Sequence, residues 1–125
     1  MVKSFISMLC VAAVLTLGGI AENLFIKKEF GDFRNIACEL HLKIEDETAE
    51  KEDAVALQDN WLNRKKYLHA FIPHTEIKEM DLWLSETVSL IEDKKWEESK
   101  SKVKVIINLS EQIPQTFMIS WENIL

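Results

Sequence analysis

The chain has 125 residues, with 15 Lys and Arg against 21 Asp and Glu, a net charge of −6, and only three Gly and two Pro. This length fits one small domain, the negative charge argues against nucleic acid or anionic lipid as the main partner, and so little Gly and Pro points away from a β-sandwich toward helices and short turns. The expected fold is all-α: an N-terminal transmembrane or signal-anchor helix followed by a small bundle of about four helices.

The charge is unevenly spread. Lys3 is the only charged side chain before Glu22, and residues 5–21 read FISMLCVAAVLTLGGIA. As a helix this run reaches about 25 Å, and its extension through Leu24, Phe25 and Ile26 reaches about 33 Å, enough to cross a ~30 Å hydrocarbon core. Its strongly apolar residues favour insertion by about 2–5 kcal/mol in all. Residues 1–26 therefore read as a single-pass anchor and residues 27–125 as the helical domain. The rival reading is a cleaved secretory signal, with Lys3 as its charged start and the small Gly19 and Ala21 before a cut at residue 21. Cys10 follows Leu9 rather than a small residue and lacks a lipoprotein context. Lys27, Lys28 and Arg34 on the C-terminal side favour a cytoplasmic domain by count. The four-residue tail and signal-like layout favour the opposite, and an extracytoplasmic domain at the cell membrane is the expectation. Cys38 would there be an unpaired thiol.

In residues 22–46, Ile26, Phe30, Phe33, Ala37, Leu40 and Ile44 recur at alternating steps of four and three, a narrow apolar seam for packing on another helix or a second chain. Lys28, Asp32, Asn35 and Glu39 take the opposite face. A second helix, opened by Asp46 or Thr48, is expected to carry Ala54, Leu57, Trp61, Leu68 and Ile72 and to end at Pro73. The stem of Arg64 or Lys65 is expected to lie along its seam with the charge in water. His74 or Thr75 is expected to cap a third helix over about Glu76–Asp93, with Ile77, Met80, Leu84, Val88 and Ile91 inward and Leu82, Trp83 and Leu90 widening the face. Trp96 opens the fourth helix, backed by Val103, Ile106, Ile107 and Leu109. Pro114 is expected to break or kink it before a docked apolar end of Phe117, Trp121, Ile124 and Leu125.

The sequence holds little that points to chemistry. His69, His74 and Glu76 form the one His/carboxylate group, but the two histidines are five apart across Pro73 and do not share a helix face as metal ligands do. No Gly-rich phosphate loop or nucleophile elbow is present, and the carboxylates sit among lysines on solvated faces. No catalytic, cofactor or metal residue is assigned, and the chain is not expected to be an enzyme. Candidate binding or turn residues are His74, Glu76, Trp83 and Trp61. His74 reads as a turn residue, and most of the tryptophans read as core, with Trp83 off the main seam of its helix.

The run WLNRKKYLHAFIPHTEI (Trp61–Ile77), the following helix, Trp96, Ile113–Pro114 and the ending SWENIL resemble the bacterial family called domain of unknown function 4363. Trp61, Lys65, Leu68, Phe71, Ile72, His74 and Glu76 take its degenerate motif positions, with Asn123, Ile124 and Leu125 at its ending; Pro73 before the histidine departs from it. The resemblance implies one N-terminal apolar helix, about a hundred helical residues and a Gram-positive bacterial source, and it implies no activity. The functional expectation is a membrane-anchored, non-catalytic binding or scaffolding module at the cell surface, working through a protein partner or a homo-oligomer. One alternative is a small-ligand sensor or carrier with a pocket near the Phe71–Glu76 turn, lined by Trp83 and His74. Another is a secreted helical protein after signal cleavage. A hydrolase using a metal held by His69, His74 and Glu76 is the weakest.

Overall fold

A computed structural model describes the backbone of residues 2–124 and the side chains of residues 2–116. It contains four helices among the described residues: α1 (Val2–Glu45), α2 (Lys51–Leu68), α3 (His74–Glu92) and α4 (Trp96–Ile124). The connections are short, so sequential helices run antiparallel. α1 packs on α2 and α4, and α3 packs on the same two, which closes a square up-down-up-down bundle.

α1 is continuous over 44 residues. Its second half buries Ile26, Phe30, Phe33, Ala37, Leu40 and Ile44, the seam expected from the spacing. Each such side chain contributes about 1.5–3 kcal/mol of burial. Its first half is different in kind: between Val2 and Phe25 only Gly19 is buried, and Phe5, Leu9, Val14 and Leu17 are exposed on every side. This apolar arm projects from the bundle, and it is long and apolar enough to cross a membrane. A signal sequence has the same length and composition.

The core is completed by Leu57, Trp61 and Leu68 of α2, Ile77, Met80, Leu84 and Ile91 of α3, and Val103, Ile106 and Ile113 of α4. Phe30 and Phe33 lie with ring centroids 6.0 and 5.4 Å from Trp61, in tilted geometry. The polar residues inside are satisfied locally. Thr87, Ser99 and Ser110 donate to carbonyls of the preceding turn, those of Trp83, Trp96 and Ile106, at 2.8, 3.0 and 2.8 Å.

Several helix ends differ from expectation. Thr48 does not open α2; its hydroxyl and amide both return to the Lys43 carbonyl and close α1. The first residue before α2 is Glu50, whose amide donates to the Asp53 carboxylate at 2.9 Å. α2 stops at Leu68, one turn before Ile72, and Pro73 is the N-cap of α3 rather than the terminator of α2. Proline serves there because its fixed φ suits a helix start and its missing N–H costs nothing. Leu82 is 56% exposed and does not widen the core face of α3, where Thr87 is buried instead. α4 runs through Pro114 without a break, so the expected separate segment at residues 117–125 is not seen in the backbone to Ile124. The docking expected of Phe117, Trp121 and Ile124 concerns side chains outside the described residues, and Leu125 lies outside them altogether.

Candidate functional site

The Phe71–Glu76 turn sits at the arm end of the bundle. Tyr67 places it there: its ring lies 5.8 Å from that of Phe25, and its hydroxyl donates to Glu29 Oε2 at 3.1 Å. Beyond Tyr67 the chain reverses through His69–Ile72 into α3. Ile72 is buried and Phe71 packs half-buried on the core. His69 closes α2, with its amide donating to the Lys65 carbonyl at 3.1 Å and its ring Nδ1 3.3 Å from the same oxygen. A carbonyl can only accept, so a hydrogen bond there requires the proton on Nδ1. His74 is the first residue of α3 and exposed, so it does not cap the helix.

Glu76 stands in the first turn of α3, where the helix dipole favours a carboxylate. Its Oε2 is nevertheless buried with no hydrogen-bond partner among the described residues. Burial, with a lesser contribution from Glu79, holds its carboxyl above the ordinary value of 4.5.

Trp61 and Trp83 lie elsewhere. Trp61 is fully buried, and its indole N–H donates to Asp81 Oδ1 at 2.7 Å while Lys65 Nζ donates to Asp81 Oδ2 at 2.8 Å. Trp83 is half-buried, with Lys102 Nζ 4.4 Å from its ring centroid. Trp83 stands nine positions beyond His74 on α3, about 13 Å along the axis. The structure therefore brings Glu76 and His74 together at one turn, sets Trp61 in the core, and leaves Trp83 on a flank.

Polar contacts across the helix seams were not foreseen from the sequence. Arg64 donates to the Glu29 carboxylate and, at 3.2 Å, to the Glu29 carbonyl, and its Nε donates to Asn60 at 2.7 Å. Arg64 and Glu29 are largely shielded, so the Arg64 charge is held against a carboxylate rather than in water as expected, and the pair ties α2 to α1 just where the arm leaves the bundle. Burial, then Glu29, raises the Tyr67 phenol above its ordinary value of 10.0. Arg34 pairs with Glu111 at 2.6 Å between α1 and α4, and Lys102 with Glu86 at 3.1 Å between α4 and α3. These partners are far apart in sequence, so no local pattern announces them.

At the opposite end an open cleft of about 510 Å³ lies between the α1–α2 and α3–α4 loops, lined by Glu47, Glu50, Glu92, Lys94 and Trp96 among others. Lys51 pairs across it with Glu92 at 3.2 Å. Nearby, the Glu50 amide and then Lys43 hold the Asp53 carboxyl below its ordinary 3.8. No His, Cys, Asp and Glu group among the described residues is placed to hold a metal ion.

A family model described as Domain of unknown function (DUF4363) matches residues 26–124. The match begins at Ile26, the first core residue of α1 outside the arm. No curated protein and no solved structure matches the chain.

Proposed function

The chain belongs to the family of unknown function DUF4363, and on that premise we propose that it is a single-pass membrane protein presenting a non-catalytic helical binding or scaffolding domain on the extracytoplasmic side of the cell membrane. One observation carries the reading. α1 passes without interruption from an arm that is apolar and exposed all round into six residues of the bundle core. In water such an arm loses the transfer free energy that a hydrocarbon layer returns, and the bundle does not cover it. The use of side chains supports a binding rather than a catalytic role. Trp61, Asp81, Lys65, Glu29 and Arg64 are spent on holding helices together.

The test combines three measurements on cells producing the full chain: alkaline extraction, N-terminal sequencing, and labelling of a Glu97→Cys, Cys38→Ser variant with a membrane-impermeant maleimide. Retention in the membrane, an uncut N-terminus and labelling of intact cells are expected. Labelling only after lysis overturns the sidedness. A mature N-terminus at Glu22 overturns the anchor in favour of a secreted bundle, a reading favoured by a core that starts at Ile26. For the binding role, crosslinking in native membranes is expected to capture a protein partner or a second copy, and a monomer recovered alone counts against it.

A further inference from the structure

The two ends of the bundle differ in charge. At the end away from the arm Lys43 and Lys51 pair with Asp53 and Glu92, and the exposed Glu47, Glu50, Glu52, Asp93 and Glu97 outnumber Lys94 and Lys95, which are unpaired among the described residues. The base, where the arm leaves, is arranged differently. Its shielded charges cancel in pairs, Glu29 with Arg64 and Asp81 with Lys65. Lys27, Lys28, Lys66 and Lys78 remain exposed there and enter no ion pair among the described residues. Against them, among the described residues, stand Glu22, Asp32, Glu76 and Glu79, of which Glu22 and Glu76 are half-buried, so the base is near neutral and its exposed lysines gather around the Phe25–Tyr67 pair. Lys66 and Tyr67 belong to α2, yet the Tyr67–Phe25 and Tyr67–Glu29 contacts bring them level with Lys27 and Lys28 of α1. Phe25 and Tyr67 are 40% and 44% exposed, an aromatic pair at the point where the apolar arm ends.

Aromatic rings with one polar edge settle at the headgroup level of a bilayer, and lysines beside them are drawn to anionic lipid. We propose that the base of the bundle is a second membrane contact, in which Lys27, Lys28 and Lys66, flanking the Phe25–Tyr67 pair, seat the domain on anionic phospholipid headgroups. The inference rests on the anchoring reading above. The Glu29–Arg64 pair fixes α2 against α1, so the lysines of both helices reach the surface together.

The experiment uses the full chain in nanodiscs of neutral phosphatidylcholine or of phosphatidylcholine with phosphatidylglycerol. Amide hydrogen exchange is read over residues 66–78. Slower exchange in the anionic discs is expected. High salt should abolish the difference, and each of Lys27→Gln, Lys28→Gln and Lys66→Gln should weaken docking about fivefold. Lys95→Gln at the far end should leave it unchanged. Equal exchange in both lipids, from a chain that still resists alkaline extraction, overturns the lipid contact and spares the anchor. A chain extracted by alkali overturns both.

Discussion

Trp61 shows how one residue can serve two kinds of packing. Its rings fill the space beside Phe30 and Phe33, and its N–H reaches the Asp81 carboxylate that Lys65 also holds. Replacing it with Phe keeps much of the volume but removes the donor. Trp61→Phe is expected to destabilise the bundle by about 1–3 kcal/mol, read by chemical denaturation. Its burial was legible from the apolar spacing, but Asp81 was not, since the two stand on different helices. Glu76 gives a pH signature. Its carboxyl is raised in the folded state above 4.5, so its contribution favours folding below that value and is lost as pH rises through the folded one. Glu76→Gln should therefore raise the melting temperature at neutral pH and leave it unchanged near pH 4, as a thermal melt across pH would show. Of the residues singled out at the turn, Glu76 carries this electrostatic mark, and it arises from burial that no local pattern reveals.

Among the helices, two kinds of backbone position call for opposite changes. α1 and α3 end in the same motif: the amides of Glu47 and Thr48 return to the Ile44 and Lys43 carbonyls, and those of Lys94 and Lys95 to the Ile91 and Leu90 carbonyls. Glu47 and Lys94 each sit at φ 56°, where an L side chain crowds the backbone and glycine does not. Glu47→Gly should stabilise by about 0.5–1 kcal/mol. Gly31 is the reverse case, lying inside α1 with nothing within 4 Å of a Cβ added there. Gly31→Ala should stabilise by about 0.5–1 kcal/mol through the unfolded chain's lost freedom. Urea titration of both variants and their double checks the signs and their additivity. Helix existence was legible because the 3/4 spacing in Ile26–Ile44 and Ala54–Leu68 is regular. Helix ends were not, since a threonine can close a helix as well as open one. A proline can start one, as Pro73 does, or be carried inside, as Pro114 is.

On the scale of the whole molecule, the arm and the bundle are separable in burial but joined in backbone. Between Val2 and Phe25 only Gly19 is buried, so a chain beginning at Glu22 is expected to fold with a helical circular dichroism spectrum of nearly unchanged intensity per residue and a cooperative melt. It should resist no alkaline extraction, and any lipid contact left at its base should be released by high salt. A truncated chain without a cooperative transition would mean that the arm supports the core. The apolar run and the acidic remainder made this division readable from composition alone. The union of the two in one helix rests on the absence of any proline between Ala21 and Ile44, so that nothing removes a backbone donor there.

Because α1 runs without a break from the arm to the last core residue, an anchored chain behaves as a lever with its pivot in the lipid. The part of α1 beyond Ile26 is about 30 Å long, so a change in tilt of about 10° sweeps the distal loops through ~5 Å. In an anchored chain, bilayer thickness and the interfacial contacts that together act on that tilt thereby steer where the acidic tip points.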